Sequence, residues 1–211
     1  ILLPGTKNTM EDLLWMRQNG LEAAVLKKAA EGKIIFGVCG GYQMLGETLA
    51  DPEHVEAGGE IKGMGLLPMD TVFKEGKTRT RVEGSFDQVQ GPLHTLTGVN
   101  LEGYEIHMGE TTLREGVQSF TRITDTVKNE TKEDGAFYKN VYGSYVHGIF
   151  DKEEVAKKVV EAIGEIKGID VSSMTGVDFA SFKETQYDLL AQGLREHLDM
   201  EKIYQILEEG I

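Results

Sequence analysis

The chain has 211 residues, among them 26 glycines and one cysteine, and a formal net charge of −13. This length suits one large domain or a domain with an appendage, and a lone cysteine excludes an intramolecular disulfide framework and indicates a reducing compartment. The negative charge argues against a nucleic-acid partner, and no apolar run is long enough to span a membrane. We therefore expect a cytoplasmic protein that binds neither nucleic acid nor membrane.

The first fifty residues alternate between strand and helix patterns. In order, they predict a strand end, two helices, a buried strand and a third helix, in the stretches "ILLPG", "NTMEDLLWMRQNG", "LEAAVLKKAAEG", "KIIFGV" and "YQMLGETLA". Asn8 or Thr9 caps the first helix and Gly20 stops it, and Gly32 closes the second helix. The continuous apolar run is typical of a central parallel strand that is covered on both faces.

Beyond Gly65 the pattern changes to strands broken by glycine turns, followed by an amphipathic helix in "DKEEVAKKVVEAIGEIKG" and by helical spacing of apolar residues in the tail. This order predicts an α/β fold with an open mixed, largely parallel sheet flanked by helices. We expect one domain over residues 1–167, and over residues 168–211 an exposed linker and C-terminal helices that pack on the same domain. The chain opens inside a strand pattern, so we expect the domain to be truncated at its N-terminus.

The only cysteine lies in "GVCGGYQMLG", directly after the buried strand. A strand, Gly37-x-Cys39-x-Gly41 and a helix form the nucleophile-elbow pattern, with a thiol in place of the usual serine. The glycines leave room for a sharp turn, which puts the sulfur at a helix N-terminus, where free N–H groups favour the thiolate. The N–H of Gly40 would point to the same place and stabilise an oxyanion. A buried, inert cysteine is the alternative that this pattern alone leaves open.

A thiol nucleophile needs a base, and the chain has five histidines: His54, His94, His107, His147 and His197. His147 follows a strand pattern in "YGSYVHGIFD", and the carboxyl ends of parallel strands are where the sites of α/β proteins collect. We therefore predict that His147 is the base, with His107 in "YEIHMGE" as a weaker second candidate. A structural histidine at a strand end is the alternative. His54 and His94 lie in polar loops and His197 lies on a predicted helix, so we expect all three outside the site.

Three stretches in chain order, "GVCGGYQMLG", "GYEIHMGET" and "VYGSYVHGIFD", resemble the glutamine amidotransferase domain of cobyric acid synthases. "LPGTKNT", "EIKGMGLLPMDTVF" and "YDLLAQGLREHLDMEKIY" also resemble that family, so the likeness extends over nearly the whole chain. Cys-x-Gly-x-Gln is shared by many Cys–His amidotransferases, whereas the full set of motifs is specific to this branch. The resemblance implies the flavodoxin-like fold of class I glutamine amidotransferases.

The resemblance also implies a reaction. Cys39 would attack the side-chain amide of glutamine, form a γ-glutamyl thioester and release ammonia, while His147 shuttles the proton. Backbone N–H groups of Gly40 and of the turn at Gly5 would form the oxyanion hole. The ammonia would then amidate carboxylates of a corrinoid, adenosylcobyrinic acid a,c-diamide, in an ATP-dependent step of cobalamin biosynthesis.

Two further positions are implied to bind glutamine. Gln43 lies one turn into the elbow helix, at the family position expected to help hold the bound substrate. His107 is expected to border the same site, because "EIHMG" belongs to a stretch that carries the resemblance. We expect no metal-binding site in this chain.

The chain departs from related amidotransferases in two respects. Many of them place a Glu two residues after the catalytic His, but here Ile149 has that position, so we expect a Cys–His dyad and expect Asp151 to cap the next helix. The family also carries an ATP-binding synthetase domain before this one. No Gly-x-x-x-x-Gly-Lys-Ser/Thr motif occurs here, since Thr71 replaces the first glycine ahead of "GKT". We expect ATP and Mg²⁺ in that synthetase domain and no cofactor in this chain.

Three other functions fit parts of the pattern. A Cys-dependent γ-glutamyl hydrolase would use the same elbow, but Gln43 and the C-terminal stretches favour an amidotransferase. A non-catalytic subunit that only docks a synthetase would not need Cys39 and His147. The amidotransferase that acts on the a and c side chains of the corrinoid has a different elbow sequence.

Overall fold

The structure is a computed structural model that describes residues 1–174 and 179–210. The chain divides into two compact units, Ile1–Met174 and Thr175–Ile211. The described residues of the first unit form ten strands: β1 (Leu2–Leu3), β2 (Ile35–Val38), β3 (Thr48–Asp51), β4 (Gly59–Lys62), β5 (Met69–Phe86), β6 (Asn100–Leu113), β7 (Thr121–Asp125), β8 (Thr131–Asp134), β9 (Ala136–Tyr138) and β10 (Val141–Ser144). They also form a 3-10 helix at Gly91–Leu96 and the helices α1 (Thr9–Gln18), α2 (Leu21–Ala30), α3 (Gly40–Met44) and α4 (Glu153–Lys167).

The first sheet has the strand order β1-β2-β10-β9. β2 runs parallel to both β1 and β10, and only β9 is antiparallel. Ile35 of β2 packs with Leu13 in a core cluster, whereas the next residue, Phe36, belongs to a second cluster with Phe120 and Tyr142. Since successive side chains of a strand point to opposite faces, β2 is buried on both faces. The predicted α/β class and the central parallel strand are confirmed.

A second sheet has the order β4-β3-β5-β7-β8, with β6 paired to β5, and its strand pairs are antiparallel except for β3 with β5. The sequence predicts strands in this region but not a separate sheet. β5 and β6 form a long hairpin whose register shifts between Phe73 and Thr78. Beyond β10 the hairpin meets the first sheet, because Tyr104 of β6 and His147 exchange two backbone hydrogen bonds of 3.1 and 2.8 Å.

Two predicted local features are wrong. "YQMLGETLA" is not one helix, because α3 ends at Met44 and the chain continues into β3. A Cβ at Gly46 would lie 2.9 Å from the carbonyl oxygen of Met69, so the chain leaves the helix where it passes close to β5. The N-cap residue of α4 is Lys152 rather than Asp151. Asp151 instead ends the preceding turn, where its backbone N–H donates to the carbonyl of Gly148 at 2.8 Å.

The described residues of the second unit form two helices, α5 (Phe179–His197) and α6 (Met200–Glu209). The helical spacing predicted for this region is confirmed. Of the predicted exposed connection, residues 175–178 lie outside the described residues. The packing of these helices on the first domain stays a prediction. None of the described helices combines the length and the apolar character that a membrane crossing requires.

The elbow between β2 and α3 is held by backbone contacts that leave no room for side chains. Cys39 has φ 51° and ψ −112°, in the left-handed region that non-glycine residues rarely adopt. A Cβ at Gly37 would lie 2.6 Å from the Gly41 carbonyl oxygen, and a Cβ at Gly41 would lie 2.2 Å from the Leu3 carbonyl oxygen. The predicted sharp turn and its need for glycine are therefore confirmed.

Replacing Gly41 by alanine should destabilise the first unit. The added carbon meets backbone of β1, which cannot move without disturbing the pairing of β1 with β2. We expect Gly41→Ala to lower the free energy of unfolding by about 2 kcal/mol or more, as overpacking does in cores. Gly76→Ala is the matched control, since nothing described lies within 4 Å of its Cβ position, and its effect should stay within about 0.5 kcal/mol. Urea unfolding followed by circular dichroism measures both, and equal effects would contradict this steric account.

Candidate active site

A cavity of about 520 Å³ opens beside the elbow. This volume is in the range of small-molecule sites. Five of the six predicted site residues line it: Gly5, Cys39, Gln43, His107 and His147. The sixth, Gly40, follows Cys39 and donates its backbone N–H towards the thiol. The structure therefore brings the whole predicted set together, although their chemical roles stay predictions.

The Cys39 thiol is buried, with 6 % of the residue exposed, at the N-terminus of α3. Its Sγ donates to the carbonyl of Ile106 in β6, 3.5 Å away. Burial raises the pKa of the thiol, the Gly40 N–H lowers it, and the carboxylates of Glu56, Asp134 and Glu105 raise it further. The balance is a raised pKa, so the thiol is protonated at neutral pH before any ligand binds.

His147 lies against the same carbonyl group and stacks on Tyr104, with ring centroids 5.1 Å apart and planes within 5°. Its Nε2 is buried, and no described residue makes a hydrogen bond to it. Burial lowers the pKa of His147, and electrostatic repulsion from the His107 ring lowers it further, while the hydrogen bond to the carbonyl of Ile106 raises it. The imidazole is therefore neutral at neutral pH, and with the proton on Nδ1 it has an unused lone pair on Nε2.

The turn at Gly5 lies between the thiol and the imidazole. A Cβ at Gly5 would lie 3.0 Å from Cε1 of His147 and 3.4 Å from Cβ of Cys39, and a Cβ at Gly40 would lie 3.0 Å from the backbone nitrogen of Thr6. Backbone of both turns thus converges beside the sulfur. This proximity is what two N–H donors to one developing oxyanion require.

Gln43 is buried on the floor of the cavity, with 2 % of the residue exposed. Its Oε1 lies 3.1 Å from the hydroxyl of Thr9, and its Nε2 donates to the hydroxyl of Tyr145 at 3.2 Å. Tyr145 in turn contacts the hydroxyl of Thr111 at 2.6 Å. Burial raises the pKa of Tyr145, so this network carries no charge. Gln43 is held in one orientation by groups from α1 and from the segment after β10.

Both ring nitrogens of His107 face oxygen atoms. Nδ1 lies 2.9 Å from the carbonyl of Gly109, and Nε2 lies 3.3 Å from a carboxylate oxygen of Glu105. Burial of Glu105 would raise the pKa of its carboxyl, but the hydrogen bonds from His107 and Lys132 outweigh that effect and leave the pKa lowered. A carbonyl and a carboxylate only accept, so both nitrogens donate when His107 is an imidazolium. His107 lines the cavity, but both of its nitrogens already face oxygen atoms. Of these two histidines, only His147 has a ring nitrogen, Nε2, that lacks a hydrogen-bond partner among the described residues and can accept a proton.

The remaining histidines lie outside the residues that line this cavity, as predicted. Sequence reasoning missed other residues that shape the site: Thr9, Glu56, Tyr104, Ile106 and Tyr145. Tyr104 and Ile106 stand beside His107 in "GYEIHMGET", and Tyr145 stands two residues before His147, so position in a motif could have found them. Glu56 lies in a polar loop, and no motif marks it.

Comparison with known proteins identifies the family of the chain. A family model described as a CobB/CobQ-like glutamine amidotransferase domain matches residues 1–155. The chain belongs to this family. The first unit is thus a glutamine amidotransferase domain of an enzyme family.

Curated relatives of this amidotransferase domain are named cobyric acid synthase. The proteins from Ruminiclostridium cellulolyticum, Lachnoclostridium phytofermentans and Salmonella agona are 52 %, 47 % and 40 % identical over 100 %, 100 % and 99 % of this chain. The matches cover 41 %, 43 % and 41 % of those proteins, so the chain spans about two fifths of their length. A solved structure described as a glutamine amidotransferase aligns with a TM-score of 0.49 at 18 % identity, over 77 % of this chain and 78 % of its own, too weak a likeness to decide the fold.

No cluster of three or more His, Cys, Asp or Glu side chains suited to a metal ion occurs within residues 1–174 and 179–210. The position two residues after His147 is the apolar Ile149, which is buried in the core. Stacking on Tyr104 and the backbone bonds to the same residue hold the imidazole instead.

The pKa shifts predict how the thiol responds to pH. Only the thiolate reacts with iodoacetamide, and its fraction grows as the pH rises through the raised pKa of Cys39. We expect alkylation of the free amidotransferase domain to rise with pH, with a midpoint above the value of about 8.5 typical of a free thiol. Because Cys39 is the only cysteine, intact-mass measurement reports this site alone, and the urea-unfolded chain gives the reference. A fast rate that is already constant at about pH 6 would indicate a thiolate–imidazolium pair and contradict the neutral dyad.

Proposed function

We propose that this chain hydrolyses glutamine at Cys39 and supplies the ammonia to an ATP-dependent synthetase that forms cobyric acid. One observation carries the proposal: a protonated thiol on a strained elbow shares a cavity with a neutral imidazole whose Nε2 is unpaired among the described residues. A base with a free lone pair beside a protonated nucleophile is the arrangement that general base catalysis requires. The family to which the chain belongs supports the same reaction.

In the proposed reaction the thiol proton moves first to His147 and then to the leaving nitrogen. As Sγ of Cys39 attacks the amide carbon of glutamine, the thiol proton moves to Nε2 of His147, and the N–H of Gly40 and an N–H at Gly5 stabilise the oxyanion. The C–N bond then breaks, and His147 returns the proton to the leaving nitrogen, which departs as ammonia. Water attacks the resulting thioester with His147 again as base, and glutamate leaves while the thiol is restored.

Gln43 and His107 have supporting roles in this proposal. Gln43 is fixed by two hydroxyl groups, so its amide is already oriented for a contact with bound glutamine. His107 lies close to His147, and electrostatic repulsion between the two rings, together with burial, lowers the pKa of His147 and favours a neutral imidazole that can accept a proton. Both roles act on binding or on the base rather than on the reacting bond.

The chain covers about two fifths of its relatives' length, which supports assigning the synthetase and its ligands to the remaining part. We place ATP and Mg²⁺ there, together with the corrinoid, adenosylcobyrinic acid a,c-diamide, whose carboxylates accept the ammonia. The setting is the cytoplasm. A γ-glutamyl hydrolase would share the elbow, but the relatives that match the whole chain are named for a synthase. A docking subunit without activity would have no use for a strained turn at the nucleophile.

Two substitutions test the dyad. Cys39→Ser should abolish glutamine hydrolysis while the circular dichroism spectrum and the unfolding midpoint stay unchanged. His147→Ala should lower kcat by at least about 100-fold, the usual cost of losing general acid–base catalysis. Release of glutamate, measured by a coupled glutamate dehydrogenase assay, gives the rates.

The other histidines provide the matched controls. Alanine at His54, His94 or His197 should leave the rate within about twofold, because surface substitutions away from a site have small effects. His107→Ala should raise KM but leave measurable turnover. If His107→Ala were inactive and His147→Ala kept its rate, the assignment of the base would be wrong.

The division of labour with the synthetase is tested in the full-length protein. Cys39→Ser should stop amide formation from glutamine, but amide formation from ammonium chloride with ATP and Mg²⁺ should continue at the wild-type rate, since free ammonia bypasses the thiol. Mass spectrometry of the corrinoid product follows both reactions. Loss of the ammonia-dependent reaction in this variant would mean that the chain does more than supply ammonia.

A further inference from the structure

Glu56 is a carboxylate in the active-site cavity that the proposed reaction does not use. The residue is half-buried, in the loop between β3 and β4. Its Oε2 accepts the backbone N–H of Met10 at 3.2 Å, and its Oε1 lies 3.1 Å from the hydroxyl of Thr9. The carboxylate also accepts the backbone N–H of Thr9. A carboxylate has about four acceptor positions, so these three hydrogen bonds fix the group and leave it able to bind a further donor.

The carboxylate lies close to the elbow. The same Thr9 hydroxyl that contacts Glu56 is 3.1 Å from Oε1 of Gln43 and would be 3.2 Å from a Cβ at Gly40. It has one proton, so it serves the two Oε1 atoms one at a time. Of the carboxylates that raise the pKa of the Cys39 thiol, Glu56 has the largest effect. Glu56 is therefore within reach of a ligand that reacts at the sulfur.

The charges in the cavity fit a ligand that carries both signs. Lys7 and Lys77 line it together with Glu56, and within residues 1–174 neither lysine forms a salt bridge. Burial raises the pKa of Glu56, and its hydrogen bonds only partly offset that. A cation bound beside this carboxylate would relieve the cost of burying its charge.

We propose that Glu56 binds the α-ammonium group of the substrate and so restricts the site to glutamine with a free amino group. The inference rests on the proposed function. In glutamine, four single bonds separate the reacting carbon from the α-nitrogen, a span of about 5 Å when extended. The Thr9 hydroxyl, 3.1 Å from Glu56, would lie 3.2 Å from a Cβ at Gly40, so a single side chain separates this carboxylate from the elbow. Glu56 acts on substrate choice, and the bond-breaking steps remain those of Cys39 and His147.

Glutaramate tests the proposal, because it has the carboxamide and the carboxylate of glutamine but no amino group. The wild-type domain should hydrolyse glutamine with a kcat/KM about 10- to 100-fold above that for glutaramate, the range of one charge-assisted hydrogen bond. Glu56→Gln should lower kcat/KM for glutamine by about the same factor, through KM, and change the value for glutaramate by less than about threefold. Glu60→Gln, an exposed carboxylate on β4 outside the cavity, is the matched control and should change neither.

The outcomes separate this inference from the proposed function. If Glu56→Gln reduced both substrates equally, its role would be structural, and if it reduced neither, Glu56 would not contact the substrate; each result overturns the inference while the glutaminase assignment stands. If the wild-type domain hydrolysed neither substrate, the proposed function would fail. Binding would then still be measured by protection of Cys39 from iodoacetamide. Glutamine should protect better than glutaramate in the wild type, and the two should protect equally in Glu56→Gln. Equal protection in the wild type would overturn the inference.

Discussion

The backbone of Gly41 lies against the carbonyl of Leu3 with no space for even one carbon atom between them, and the rest of the site follows from this contact. It locks the start of α3 against β1, so the turn at Cys39 must be sharp and the residue must adopt a positive φ. A non-glycine residue in this region costs about 1–3 kcal/mol, which the pairing of β2 with two parallel neighbours must offset. At this turn the sulfur meets the N–H of Gly40 and the carbonyl of Ile106.

The groups around a buried thiol on such a turn set its pKa. Here burial and three carboxylates keep the proton on Cys39, while burial and electrostatic repulsion from His107 lower the pKa of His147 and keep its ring neutral. This is a different balance from a preformed thiolate at a helix N-terminus, because the field of α3 is that of a helix of five residues only and the carboxylates oppose it. Proton transfer from sulfur to nitrogen therefore belongs to the attack on the substrate rather than to the resting enzyme.

Local sequence signals predicted the parts of the site that are local in the chain. The caps of α1 at Asn8, the burial of β2 and the elbow at Cys39 all depend on residues within one turn of each other. The second wall of the cavity comes from β6, which reaches the elbow only because the hairpin of β5 and β6 crosses to the end of β10. That pairing joins Tyr104 to His147 across about forty residues. Helical spacing likewise could not show that α3 ends at Met44, because the helix ends where Gly46 passes close to the backbone of β5.

Glu56 illustrates why a residue that no motif marks can still govern substrate choice. The same carboxylate that the substrate's ammonium group would neutralise is, among the surrounding carboxylates, the one that most raises the pKa of the thiol. A bound ammonium group would remove much of that effect, because two opposite charges in contact act on a more distant group nearly as a neutral pair. Binding would thus remove one of the smaller effects that raise the pKa of Cys39, while burial, the largest of them, would remain. Glu56 would therefore select the substrate, and deprotonation of the thiol would still depend on His147.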